Sequence, residues 1–288
     1  MARQALDNFY EHVMRIRDSV PEDGHMDLHD LDNVEHVLNF DFEHLDEKAD
    51  PPLYFEPMQQ AELKEFPPNP AQVRHFFNIT DWENIGFPRS IPGCYRQTSS
   101  LISDYATRKA VSHQHLQIVV APDSSLYLEA GCLAWFYGKR GWWQVCYVLE
   151  PEPEPVNGKD YPHLALHLLD EKVAREDSIL YSEFSALVIA MRGRAHQPRI
   201  NSESELEELY EREDAGEDYR AILPQPWPLM FPDEECFPVL LISCSKLYSF
   251  EWRDKAPVEL FTRLFLSSPV DTQPRGETTD LCSKLAAL

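Results

Sequence analysis

Residues 125–149 read SLYLEAGCLAWFYGKRGWWQVCYVL, and this stretch sets the expected fold. Leu126–Tyr137 and Trp142–Leu149 are aromatic and aliphatic runs separated by Gly138-Lys139-Arg140-Gly141. Short apolar runs divided by a glycine-containing turn predict a β-hairpin. A two-residue type I′ turn would need positive φ at Lys139 and Arg140, so a loop that uses both glycines is the expected connection. Either connection pairs Tyr137 with Trp142, Trp135 with Gln144 and Leu133 with Cys146. Strand faces alternate. One face then carries Leu133, Trp135, Tyr137, Trp142 and Cys146; the other carries Cys132, Ala134, Phe136, Trp143, Val145 and Tyr147. Neither face is polar, so the hairpin should lie centrally in a sheet covered on both sides. Upstream, His115–Val120 reads as a further strand, and Ala121-Pro122-Asp123-Ser124 supplies turn chemistry, giving a meander from about His113 to Leu149.

The rest of the chain suits an α+β protein: a mainly antiparallel sheet centred on the 126–149 hairpin, with a long helix around 173–192 packed on it. The chain has 288 residues, 43% of them hydrophobic, enough for a sizeable core. Residues 3–18 have the spacing of an amphipathic helix, with Leu6, Phe9, Tyr10, Val13, Met14 and Ile16 as its apolar side. The segment 21–50 is rich in Asp, Glu and His and is expected to be a weakly docked helix or an acidic arm. Prolines recur from Pro51 to Pro70, which predicts extended chain on the surface. Glu150–Pro155 alternates Glu with Pro and should end the hairpin strand. HLALHLL at 163–169 is ambiguous between helix and strand. Ser202 and Glu205 have capping-box spacing for a short acidic helix through Glu213. Pro224–Pro232 is a proline–aromatic loop, Phe237–Ile242 and Lys246–Trp252 read as strands, and Pro257–Leu266 reads as a helix with proline at its first turn. The expected organisation is an N-terminal helix and acidic arm over 1–50, a single α+β domain over 51–270 and a polar tail over 271–288.

Lys and Arg number 26 against 49 Asp and Glu, a formal charge of −23. That balance disfavours nonspecific binding to nucleic acid or to an anionic membrane, where basic residues must neutralise phosphates. The six cysteines include no CxxC pair, which speaks for reduced thiols rather than a zinc ribbon. The N-terminus lacks the apolar core of a secretory signal, so a cytoplasmic location is expected, with the nucleus as the alternative.

YLEAGCLAWFYG, REDSILYSEFSALVIAMRGRAHQPRI, FPVLLIS and SKLYSFEWRDKAPVELFTRLFLS together resemble a family of hypothetical proteins from filamentous fungi. The resemblance covers about a third of the chain, mostly its second half, and implies a fungal origin. Similar sequences occur in or near secondary-metabolite gene clusters, which implies a pathway-associated role but no activity. Where those sequences are expected to have a glycine-containing turn and another strand, Ser243-Cys244-Ser245 joins the last two strand segments directly.

Four groups of residues invite a chemical reading. His113 and His115, two apart on a predicted strand, would share a face, and Glu129 on the next strand would complete a two-histidine, one-carboxylate metal site. His25 and His29, four apart, would share a helix face with Asp32, His36 and His44 nearby, and His25-x-Asp27 imitates the first half of a facial triad, but the expected reading of this segment is a solvated acidic one. Glu176, Asp177 and Glu183, with Lys246 and Glu251, contain nuclease-like residue types, but the Asp…Glu-x-Lys order is absent and ion pairing is the expected role. Arg192, Arg194, His196 and Arg199 form the one basic cluster, placed to complement a helix C-terminus or to dock a phosphate or acidic segment. No GxSxG, P-loop, GxGxxG or HExxH motif occurs. The sequence therefore specifies no cofactor and no reaction. Its leading reading is a noncatalytic accessory or interaction protein engaging a protein or small molecule. The alternative is a small-molecule enzyme, metal-dependent through His113, His115 and Glu129.

Overall fold

The computed structural model describes residues 2–27, 54–67, 102, 108–119, 134–136, 142–152, 160–170, 172, 174–175, 178–200, 202–215, 217, 226–244 and 257–270. Along the chain these form α1 (Ala2–Ile16), a 3₁₀ turn (Arg17–Ser19), β1 (His25–Asp27), β2 (Phe55–Glu56), α2 (Gln60–Leu63), α3 (Arg108–His113), β3 (Leu116–Ile118) and β4 (Ala134–Phe136). β5 (Trp142–Pro151), β6 (Leu164–Asp170), β7 (Ser178–Leu180), α4 (Tyr181–Ala195), α5 (Glu203–Asp214), β8 (Val239–Cys244), α6 (Val258–Phe265) and β9 (Ser268–Pro269) follow.

The apolar run of β5 makes it the long strand of a five-stranded sheet, in which β3, β5, β6 and β8 lie side by side and β4 also pairs with β5. β3 and β4 share one side of β5, end to end. β4 pairs with Trp142–Gln144, and β3 pairs with Leu149–Pro151. The expected meander is therefore not formed as drawn, because β3 hydrogen-bonds directly to β5. The hairpin register also differs from expectation by one residue: Phe136 faces Trp142 and Trp135 faces Trp143, so Tyr137 is not opposite Trp142. A one-residue change in pairing exchanges the faces of a whole strand. A bulge at Cys146, where the ladder steps from Val145↔Leu168 to Tyr147↔His167, interrupts the alternation again.

Every residue of β6 is buried, which resolves the 163–169 ambiguity in favour of a central strand. It runs antiparallel to β5 and parallel to β8. Between β6 and β8 the chain passes through α4, as a parallel pair requires. Leu164, Leu166 and Leu168 face α4 with Trp143, Val145, Val148, Ala186, Ile189 and Ala190. Ala165 and Leu169 face the opposite layer, with Leu149, Ile242, Phe261 and Phe265 around them. The sheet is thus covered on both faces, by α4 on one and by α2, α3 and α6 on the other.

α4 begins later than the sequence suggests. Ile179 and Leu180 belong to β7, which pairs with β1, and the helix runs past 192 to Ala195. The helix is buried on two sides: Ala186, Ile189 and Ala190 meet the sheet, while Tyr181, Phe184 and Val188 meet α1 and Val20. Phe9 stands edge-on to Phe184 at 6.3 Å between centroids. The N-terminal helix of the 1–50 segment thereby packs into the core, and β1 continues from it as a strand rather than a helix. The intervening turn uses Gly24 at φ +77°, whose N–H donates to the Pro21 carbonyl at 2.9 Å. Among the described residues no helix is long and apolar enough to cross a membrane.

Candidate functional site

A cleft of about 480 Å³ opens where β3 and β5 meet the exit of α4. Its lining includes Gln117 of β3, Glu150 and Pro151 of β5, Glu152, and Asp160 and Tyr161 leading into β6. Arg194, Gln197, Pro198 and Ile200 close the α4 side, and Leu206 of α5 with Met230 and Phe231 complete it.

The deepest polar feature is an ion pair. Arg194 Nη1 donates to Glu150 Oε2 at 2.6 Å, with side-chain exposures of 6% and 7%. Such burial requires a nearly complete set of hydrogen bonds. Gln117 Nε2 donates to Glu150 Oε1 at 2.9 Å. Arg194 Nη1 also reaches Gln197 Oε1 at 2.6 Å, and Nη2 donates to the Tyr161 carbonyl at 3.3 Å. The guanidinium lies 4.8 Å from the Phe231 ring centroid. Its Nε is buried without a hydrogen-bond partner. Strand, helix and loop are therefore tied together at one point.

The proline–aromatic loop is held in place by backbone bonds to the α4 exit. Met230 donates to the Gln197 carbonyl at 2.9 Å and Arg199 to the Pro228 carbonyl at 2.8 Å, while Trp227 Nε1 donates to the His196 carbonyl at 3.3 Å. On the other side, the Glu205 N–H donates to Ser202 Oγ at 3.2 Å, the expected N-cap of α5. Arg3 reaches across from α1 to the Ala195 carbonyl at 2.8 Å and to the Phe231 carbonyl. These bonds make the cleft a built feature of the fold.

The basic cluster expected to act together is divided. Arg192 pairs with Asp7 at 2.7 Å and lies 4.3 Å from the Tyr10 ring centroid. His196 approaches the same carboxylate at 3.1 Å, and burial, before any charge effect, lowers its pKa. Arg199 is exposed. Arg194 alone among them lines the cleft.

His113 ends α3, and His115 sits in the following turn at φ +53°. The shared strand face assumed for these two imidazoles is therefore not formed. His113 packs against Phe66 at 5.0 Å, and His115 Nδ1 lies 3.8 Å from Glu152 Oε2 at the cleft rim. Glu129 lies outside the described residues, as do His29, His36, His44, Glu176, Asp177, Lys246 and Glu251. Among the described residues no group of three or more His, Cys, Asp or Glu side chains is arranged to hold a metal ion.

A second polar cluster gathers at the carboxyl ends of β6 and β8. Ser182 Oγ donates to Asp170 Oδ2, and the Lys172 N–H donates to Asp170 Oδ1 at 2.7 Å. Glu183 accepts from the Leu180 N–H at 3.1 Å, and His25 Nδ1 contacts Ser178 Oγ at 2.7 Å. Burial raises the pKa of both carboxyl groups; Ser182 partly offsets it for Asp170 and Ser243 for Glu183. These bonds fasten β7 and the start of α4 to the sheet.

Sequence reasoning missed Glu150, Gln117, Tyr161, Gln197 and Phe231. One signal was present: an arginine at the end of a largely apolar helix calls for a counter-charge if that end is buried. The molecule defined by this fold and site is an α+β protein with a mixed, doubly covered sheet and an acidic cleft at one end of it. No protein-family profile, curated protein or solved structure matches the chain.

Proposed function

We propose that this chain is a noncatalytic accessory or interaction protein that engages its partner through the cleft between β5 and α4. The observation that carries this reading is the 480 Å³ cleft with the Glu150–Arg194 pair fixed in its wall. The volume lies in the range of small-ligand pockets, roughly 300–1,000 Å³. The pair's own hydrogen bonds occupy much of its polar capacity, which suits a preorganised binding wall better than a proton-transferring group. The sequence resemblance is the basis for placing the protein in a fungal cell, with association to a biosynthetic gene cluster as part of the same proposal. The metal-dependent alternative through His113, His115 and Glu129 gains no support from a strand face that the two histidines do not share.

Ligand-observed NMR with a chemically diverse fragment set tests the proposal on the full chain. Ile200→Trp adds bulk to the cleft wall. Hits that bind the wild-type chain and are lost in that variant, with the fold intact by circular dichroism, are expected. An absence of hits, or hits indifferent to Ile200→Trp, would overturn it.

A further inference from the structure

The two halves of α1 serve different parts of the molecule. Val13 lies in the buried seam with Tyr181, Phe184 and Val188, and Phe9 and Ile16 pack against it. Leu6, earlier in the helix, lies in a separate buried cluster with Ala195, Phe231 and Phe237, against which Met230 packs. Arg3 lies a turn before Leu6, on the same side of the helix. Its Nε donates to the Ala195 carbonyl at 2.8 Å and its Nη2 to the Phe231 carbonyl, and its guanidinium lies 5.4 Å from the Phe237 ring centroid. Ala195 is the last residue of α4. There the helical carbonyls lack partners within the helix, and a cation complements the partial negative charge. One planar group thus ties the first turn of α1 to the end of α4 and to the loop before β8.

Phe231 carries that tie further. Its carbonyl accepts from Arg3 while its ring faces the Arg194 guanidinium at 4.8 Å, and Arg194 is paired with Glu150 of β5 at 2.6 Å. Met230 and Phe231 form one wall of the cleft. We propose that Arg3 is a latch that positions this wall: with the first turn of α1 docked, Phe231 is held against Arg194, and release of that turn loosens the 228–231 loop and the Glu150–Arg194 pair behind it. The core half of α1 stays in place in both states, because Phe9, Val13 and Ile16 pack in the other seam. A lysine keeps the charge but cannot serve two carbonyls from one planar fork. The latch concerns the position of the loop, so it stands or falls separately from ligand binding in the cleft.

Relaxation-dispersion NMR of the full chain tests this, with Arg3→Met and Arg3→Lys set against the wild-type chain. In the wild type the amides of Arg199, Met230 and Phe231 should show no exchange on the μs–ms timescale. Arg3→Met should bring exchange broadening at those three amides and displaced signals at Glu150 and Gln117, neither of which Arg3 contacts. The β6 amides should keep their positions. Arg3→Lys should reproduce most of the change. A merely structural role would lower the melting temperature and leave Glu150 and Gln117 unmoved, and that result would overturn the latch. Spectra of Arg3→Met that overlay on the wild type, or changes spread evenly into β6, would overturn it as well. A wild-type spectrum for Arg3→Lys would overturn the two-carbonyl fork on which the latch depends.

Discussion

At Glu150 and Arg194 the two charges stand 2.6 Å apart with little solvent around either. Removing one partner of such a pair leaves a buried charge uncompensated, at roughly 3–5 kcal/mol. Arg194→Met should therefore cost about that much in chemical denaturation. Glu150→Leu combined with Arg194→Met should recover a large share, because an apolar pair leaves neither charge behind. A double variant no more stable than Arg194→Met would show that the pair does not act as a unit. His167 offers a second test. Burial alone pushes its pKa down to about 4, on a strand where it stacks over Tyr147 at 6.3 Å and meets Phe265 at 5.8 Å. The unfolded chain binds that proton near pH 6.5 and the folded chain does not, so stability falls as pH drops from about 6.5 to 4. The full effect of one such group is on the order of 3 kcal/mol. Asp170 and Glu183 work in the opposite sense, since their raised pKa values favour the folded state as they take up protons. His167→Leu should flatten the acid limb of a melting-temperature profile between these pH values; an unchanged limb would assign it to other groups.

Among the elements, α4 and β5 explain most of what was readable and most of what was not. The both-sides-covered position of β5 was legible because its apolar residues serve both layers, Trp143, Val145 and Val148 toward α4 and Leu149 toward the opposite one, with Gln144 and Tyr147 as its exposed positions. Its register was not legible. Apolar residues on both faces give no penalty for a one-residue slip, and the Cys146 bulge has no signature in residue type. α4 was legible as a helix, but its burial on two sides was not. Phe184 and Val188 serve the seam with α1 while Ile189 and Ala190 serve the sheet. The two-sided burial implies that α1 is structural. Phe184→Ala should destabilise the protein by about 3–5 kcal/mol by opening a cavity against Phe9 and Val13. Deleting residues 1–20 should abolish cooperative unfolding altogether. A truncated chain that melts like the full one would show that the N-terminal helix is a dispensable arm.

Over the whole molecule, the candidate site arises where elements distant in sequence converge. Gln117, Glu150, Arg194 and Phe231 come from β3, β5, α4 and the proline–aromatic loop, and no local spacing connects them. Sequence could flag Arg194 as part of a basic cluster, but that cluster is split by counter-charges: Asp7 on α1 for Arg192 and Glu150 on β5 for Arg194. The two-residue spacing of His113 and His115 misled for a related reason. The α3-to-β3 turn consumes His115 in a left-handed conformation, which removes the strand alternation that their shared face required. The opposite end of the parallel pair is fastened by Asp170, Ser182 and Glu183, and the cleft through which we propose that the chain engages its partner lies at the other end of β6. Two-dimensional amide NMR of the full chain, titrated with the tightest-binding fragment, tests that claim most directly. Shifts should concentrate at Gln117, Glu150, Glu152, Tyr161, Gln197 and Ile200, with little change on the exposed face of α5. Shifts concentrated on α5 or around Asp170, with the cleft residues unmoved, would contradict it.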